Sequence, residues 1–265
     1  METNKIYQGD CLELMKQIGD KSVDLILCDL PYGTTACKWD TIIPFEPLWE
    51  QYKQIIKDNG AIVLTASQPF TSALVMSNIK MFKYELIWDK KRGFEPQLAN
   101  IRPQKSHENI LIFCNGKTIY NPQKTLLKKV DKRVGSGRKN NRLDGKGHNI
   151  LSSITSGEKE YKDRFPLSIQ FFSNANQKDK THPTQKPVAL FEYLIRTYSN
   201  EGDLVLDNCI GSGTTAVACV NTNRNFIGIE LSEEYCKIAN ERLSKLNDGN
   251  DGIPPNNNNG VNTNI

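Results

Sequence analysis

Residues 28 to 33 read Cys28-Asp29-Leu30-Pro31-Tyr32-Gly33 and follow directly on the apolar run Val23-Asp24-Leu25-Ile26-Leu27. A strand that ends on a carboxylate, a proline with no N–H, an aromatic ring and a glycine presents an acid and a ring side by side at one end of a sheet. A surface turn accounts for Pro31 and Gly33 but gives no reason for Asp29 and Tyr32 to stand together.

A second constellation lies far along the chain. Asp207-Asn208-Cys209-Ile210-Gly211-Ser212-Gly213-Thr214-Thr215 has the apolar strand Leu204-Val205-Leu206 before it and a helical pattern after it. Glycines at that junction let a ligand approach the backbone. Glu230, at the end of the next strand Asn225-Phe226-Ile227-Gly228-Ile229-Glu230, is placed to accept two hydroxyl hydrogens from a ribose. Such a turn is a signal for an adenosine-containing cofactor, and the absence of a lysine after the glycines excludes a phosphate-binding P-loop.

The elements that must hold these residues alternate along the chain. Strands are expected at Ser22–Cys28, Ala61–Thr65, Tyr84–Trp88, Asn109–Phe113, Leu204–Asp207 and Asn225–Glu230. Helices are expected over Phe45–Lys57, with Gly60 as its cap, and over Pro69–Ser77, Val188–Tyr198, Thr214–Val220 and Ser232–Leu246. The last of these lines up Tyr235, Ile238, Ala239, Leu243 and Leu246 on one face. Strands separated by helices predict an α/β fold, a doubly wound and mostly parallel sheet covered on both faces. In such sheets the ligand crevice lies beyond the carboxyl ends of the strands, where strand order reverses. Asp29 and Asp207 both sit at such ends, so the two constellations are expected to face one space.

The 265 residues suffice for one large domain with a smaller insertion. No apolar stretch approaches the roughly 18 residues needed to span a bilayer, and Met1-Glu2-Thr3-Asn4-Lys5 carries no hydrophobic signal region, so the chain reads as cytoplasmic and without a membrane partner. Seven scattered cysteines, with no C-x-x-C pair and three histidines, suggest buried free thiols and no metal centre. Charge is uneven. Between Asn121 and Lys180 fourteen Lys and Arg stand against six Asp and Glu, which leaves the remainder of the chain net acidic.

Taken together the motifs resemble those of S-adenosylmethionine-dependent DNA amino-methyltransferases. Asp29-Leu30-Pro31-Tyr32 is similar to their D-P-P-Y catalytic motif and Asp207 to Thr215 to their D-P-F-x-G-S-G-T-T cofactor motif. The catalytic motif comes first, which is the order of the β-class, site-specific adenine-N6 enzymes. Gly9-Asp10-Cys11 and His182-Pro183-Thr184-Gln185-Lys186-Pro187 add to the likeness, which covers roughly residues 5 to 115 and 181 to 245. Leu30 stands in place of the catalytic motif's first proline, where the family uses the backbone carbonyl. Asn208 and Cys209 replace a proline and a phenylalanine in the cofactor motif.

The resemblance implies a catalytic half over 1–120, a DNA target-recognition insertion over 121–180, a cofactor-binding half over 181–246 and a disordered tail over 247–265. It implies methyl transfer from S-adenosylmethionine to the N6 amino group of an adenine flipped out of double-stranded DNA. Asp29 and the Leu30 carbonyl would accept the two amino hydrogens, Pro31 would fix that carbonyl, and Tyr32 would stack on the base. Asp10 would contact the cofactor's adenine, Glu230 its ribose, and Asp207, Gly211, Ser212, Gly213 and Thr214 its methionine portion. Lys186 would pair with the methionine carboxylate. Lys128, Lys129, Lys132, Arg133, Arg138, Lys139 and Arg142 would contact DNA. A homodimer and a cognate restriction endonuclease are further partners that the family allows. The competing readings are a cytosine-N4 enzyme of the same class, which more often has serine where Asp29 stands, and a nicotinamide-dependent oxidoreductase, for which Ala216 replaces the third glycine.

Overall fold

The computed structural model describes residues 1–33, 40–94, 96–134, 141–143, 149–151, 158–173 and 185–247. They form two compact units. One comprises Met1–Gln123 with the described residues from Leu167 onward, and the other is built on Lys124–Pro166.

The larger unit carries an eight-stranded sheet of order β1-β12-β11-β2-β3-β5-β4-β10. The strands are β1 (Lys5–Gln8), β2 (Val23–Cys28), β3 (Ile56–Ala66), β4 (Phe82–Phe94), β5 (Lys105–Phe113), β10 (Ile169–Phe171), β11 (Leu204–Asp207) and β12 (Asn225–Glu230). Strand β5 runs antiparallel to both its neighbours, and the other strands of this sheet all point the same way. Helices α1 (Cys11–Met15), α2 (Phe45–Ile55), α3 (Phe70–Ser77), α4 (Val188–Tyr198), α5 (Thr214–Asn221) and α6 (Glu233–Asn247) follow or precede these strands.

Strand β2 is buried along its whole length. Its residues alternate between two cores, Ile26 and Cys28 packing with α2 residues Leu48, Trp49 and Tyr52, and Leu25 and Leu27 packing with α4 residues Leu190, Phe191 and Leu194. A strand covered on both faces must be apolar at successive positions, which is why the run reads as continuous rather than alternating. The one break, Asp24, pairs with Lys57 at 2.6 Å and accepts the Leu204 N–H at 3.0 Å.

One expectation is corrected by the fold. Helix α2 stops at Ile55, and Gly60 lies inside β3 rather than capping a helix. Ile56 already pairs with Val23, and the register shifts between Val23 and Leu25 to absorb the intervening residues. A Cβ on Gly60 would sit 2.8 Å from the Asp24 carbonyl and 2.7 Å from Ile56 Cδ1, so close strand approach requires the glycine. Strand β1, too short and too polar to stand out in the sequence, lines the sheet edge beside β12. Strand β10, which falls within the basic 121–180 segment, belongs to the main sheet beside β4.

In the smaller unit β6 (Thr125–Val134) pairs antiparallel with β9 (Glu158–Arg164), and β7 (Asn141–Leu143) pairs with β8 (Asn149–Leu151). The tail that was expected to be disordered lies outside the described residues, apart from Asn247 at the end of α6. Among the described residues no helix is long and apolar enough to cross a membrane.

Candidate active site

Strand order reverses between β2 and β11. Their register, Val205 beside Leu25 and Leu206 beside Ile26, brings Asp207 and Asp29 to neighbouring strand ends. The ends of β1 and β12 add Asp10 and Glu230 to the same rim, and the antiparallel course of β5 adds its opening residues, among them Glu108. These residues line a cavity of about 720 Å³, within the range of about 300–1,000 Å³ that small-molecule sites occupy.

On the β2 side the Asp29 carboxylate is surrounded by donors. Its Oδ1 accepts the Tyr32 hydroxyl at 2.7 Å and the Thr65 hydroxyl, and its Oδ2 accepts the Lys186 ammonium at 2.5 Å. Lys186 also faces Glu108 Oε2 at 3.5 Å, while Glu108 Oε1 is held by Lys90. Burial pushes the Lys186 ammonium toward neutrality, but Asp29 and Glu108 outweigh it and hold its pKa above the ordinary lysine value. Glu108 shows the converse: burial raises it, and Lys186 and Lys90 together bring it below the usual carboxylate value. Burial pulls Lys90 down despite Glu108, and its ammonium lies over the rings of Trp88 at 4.8 Å and Phe94 at 4.5 Å. The result is a row of alternating charge, Asp29, Lys186, Glu108 and Lys90, with each carboxylate next to an ammonium.

On the β11 side the carboxylates shape the loop. Glu230 accepts the Gly211 N–H and the Ser232 N–H, both at 2.9 Å, which ties the glycine turn to the end of β12. Asp207 accepts the Cys209 N–H at 3.1 Å and the Thr215 hydroxyl. Burial pushes its pKa up to about 7, against the pull of those hydrogen bonds. Ser212 donates to Gln185 at 3.2 Å, linking the loop to the segment that carries Lys186. Gly213 precedes α5 with φ at +84°, and Thr214 opens the helix. Asp10 caps α1, accepting the Leu12 and Glu13 N–H groups, at the cavity's edge.

A family model described as DNA methylase matches residues 23–241 of the chain. The chain belongs to the DNA methylase family. The type II methyltransferase M1.MboII of Moraxella bovis is 29% identical over 269 residues, covering 93% of this chain and 98% of the relative. The orphan methyltransferase M.BamHII of Bacillus amyloliquefaciens is 30% identical, with 87% and 92% covered. The DNA adenine methyltransferase YhdJ of Escherichia coli is 29% identical, with 91% and 83% covered. Among solved structures, the M1.HpyAVI–SAM complex superposes with a TM-score of 0.59 at 26% identity, covering 90% of this chain and 99% of the other. The cytosine-N4-specific PvuII DNA methyltransferase shares the fold with a TM-score of 0.62 at 17% identity, covering 92% of this chain and 89% of the other.

In this DNA methylase the two departures in the glycine motif have local roles. The Asn208 side chain accepts the buried Tyr52 hydroxyl at 2.6 Å, and Cys209 sits among the thiols of Cys11 and Cys28. Burial pushes Cys28 up to about 12, and these thiols stay protonated near neutrality. The described cysteines are all free.

Two expected roles meet a different geometry. Tyr32 stacks on Phe70, with centroids 5.2 Å apart and planes 25° apart, so one face of its ring is taken before any base arrives. The Lys186 ammonium points to Asp29 and Glu108 rather than standing ready for a cofactor carboxylate. Glu108, Lys90 and Thr65 were not anticipated. Their only sequence signal is polar side chains set at the margins of apolar strands. Of the basic residues expected on DNA, Lys128, Lys129, Lys132 and Arg133 fall on β6 and Arg142 on β7, while Arg138 and Lys139 lie outside the described residues.

Proposed function

We propose that the protein transfers a methyl group from S-adenosylmethionine to the N6 amino group of an adenine flipped out of a specific double-stranded DNA sequence. The observation that carries the reading is the meeting of Asp29 and the Asp207–Thr214 loop in one cavity through the β2–β11 register.

The residues present fit the cofactor. A buried carboxylate at Asp207 suits an ammonium, Gly211 leaves open space above its backbone, and Glu230 keeps acceptor capacity beside that glycine. When bound, S-adenosylmethionine supplies an electrophilic sulfonium methyl. The protein's own part is positional. Asp29 and the Leu30 carbonyl each accept one amino hydrogen, which draws the nitrogen toward tetrahedral geometry and frees a lone pair otherwise delocalised into the ring. Holding the reacting groups in this arrangement is worth about 7–11 kcal/mol when alignment is good. Extruding the base costs a few kcal/mol, which phosphate contacts from the Asn121–Lys180 segment offset.

Adenine is favoured over cytosine by the acid at position 29 and by the one reported relative whose name specifies adenine, YhdJ. The fold does not separate the two, since a cytosine-N4-specific enzyme shares it. Expressed in a host free of DNA methylation, the protein is expected to yield N6-methyladenine at one sequence context, read by nucleoside mass spectrometry and by sequencing of modified positions. Methylcytosine without methyladenine ends the adenine reading. A cytoplasmic setting and a cognate restriction endonuclease belong to the same proposal and rest on the type II names of the relatives.

The raised Asp207 gives a pH signature. Its carboxyl gains a proton as pH falls through about 7, and only the ionised form pairs with an ammonium. Cofactor affinity measured by calorimetry is therefore expected to rise from about pH 6 to about pH 8, one unit either side of that value, and to level off above. Asp207→Asn should bind more weakly throughout and lose the slope; a slope that persists in that variant assigns it to another group.

A further inference from the structure

The Asp29 carboxylate has about four acceptor positions, and three are filled before any base arrives. An amino group docking there must find room among the Tyr32 hydroxyl, the Thr65 hydroxyl and the Lys186 ammonium. The first is pinned by the Tyr32–Phe70 stack, and the second sits on the fully buried end of β3. Lys186 differs on both counts. Its charge rides on a flexible four-carbon stem, and a second carboxylate is within its reach.

That second carboxylate is itself incomplete. Glu108 Oε1 is anchored by Lys90, which is in turn held over Trp88 and Phe94. Glu108 Oε2 is buried with no hydrogen-bond partner, and lies 3.5 Å from Lys186 Nζ, too far for a good hydrogen bond but close enough to become one with a small movement of the ammonium. A buried acceptor left open beside a shared cation is explained if another state of the site completes it.

Building on the adenine reading, we propose that Lys186 is a positioning residue that occupies the amino-group seat on Asp29 in the base-free enzyme and passes to Glu108 Oε2 when the target adenine takes that seat. Asp29 is thereby held in its working orientation without an uncompensated charge in the pocket. The count of charges is the same before and after the base enters, because the ammonium moves between two carboxylates and never leaves them. Glu108 and Lys90, supplied by β5 and β4, set where the ammonium goes.

The test is a double-mutant cycle of Glu108→Gln and Lys186→Met, using a duplex that carries the mapped target site. Glu108→Gln is expected to lower kcat/KM for DNA about ten-fold, since Lys186 loses its charged destination, and to add less than about two-fold in the Lys186→Met background. Cofactor affinity should stay within about two-fold in every variant. A duplex with 2-aminopurine at the target position supplies the control: this base has no amino group on C6, so Glu108→Gln should leave its capture, read by fluorescence, unchanged. Glu108→Asp, which keeps the charge but withdraws it by one methylene, should follow Glu108→Gln and serves if the latter folds poorly. Equal effects of Glu108→Gln in both backgrounds, or equal losses for adenine and 2-aminopurine, overturn the proposal. So does a Lys186→Met variant that loses cofactor affinity while base capture is intact. Wild-type enzyme that makes methyladenine alongside an additive cycle sinks only the movement of Lys186; wild-type enzyme that makes none removes the adenine reading and this proposal with it.

Discussion

Asp29→Ala is expected to slow single-turnover methyl transfer by about 10³-fold while duplex affinity changes only a few-fold, because one preorganised acceptor at the reacting group is typically worth that much. The carboxylate touches the amino group and has no part in holding phosphates, so binding and chemistry should separate. The variant should also fold. Lys186 keeps Glu108 as a partner at 3.5 Å, and Tyr32 and Thr65 keep the 3.2 Å hydrogen bond between their hydroxyls. The stability loss should therefore fall short of the roughly 3–5 kcal/mol seen when a buried ion pair loses one member outright. Rapid-quench measurement with a labelled methyl donor, beside fluorescence anisotropy for DNA, decides the matter. Turnover within ten-fold of wild type would mean that another group accepts the amino hydrogen.

The parts of the site that could be read in advance are those whose reason is local. Leu204–Asp207 and Asn225–Glu230 have the expected bounds because each is a short apolar run closed by an acid, and the glycines between them mark the turn from β11 into α5. The shared crevice followed from a rule about open α/β sheets, and the register of β11 against β2 satisfies it. The row of charge behind Asp29 was not legible. Lys90 and Glu108 meet because β4 and β5 pair antiparallel, with Trp88 opposite Glu108, and nothing in the sequence near Asp29 specifies that pairing. The two carboxylate partners of Lys186 were not legible for the same reason, since Asp29 follows β2 and Glu108 lies on β5. Tyr32 turned to Phe70 because α3 places a ring beside it, a contact between segments that no periodicity connects. In the basic insertion, where apolar residues are few, the pairings of β6 with β9 and of β7 with β8 order the backbone of the described residues.

The two glycines of the cofactor loop are expected to fail in different ways, although they stand two residues apart in one motif. Gly213 has φ at +84°, and a Cβ there would meet Ala239 Cβ at 2.9 Å and Ala239 Cα at 3.2 Å. The obstacle is the backbone of α6 and a side chain with nowhere to turn, so α5 and α6 would have to separate. Left-handed backbone strain of about 1–2 kcal/mol adds to overpacking of about 1–3 kcal/mol. Gly213→Ala should lower the melting temperature of the unliganded protein by about 5–15 °C. Gly211 also has positive φ, at +53°, yet a Cβ there meets no protein atom within 4 Å. Its methyl group would point into open space beside Glu230, whose carboxylate holds the Gly211 N–H. Gly211→Ala should therefore cost the unliganded fold little more than the strain, a shift of about 2–8 °C, and should weaken S-adenosylmethionine binding by about ten-fold or more, as an added methyl in a fitted site does. Scanning calorimetry and titration calorimetry on both variants separate the cases. If Gly211→Ala binds the cofactor as wild type does, the open face of the loop is not where the ligand lies, and the assignment of Asp207 and Glu230 to that ligand falls with it.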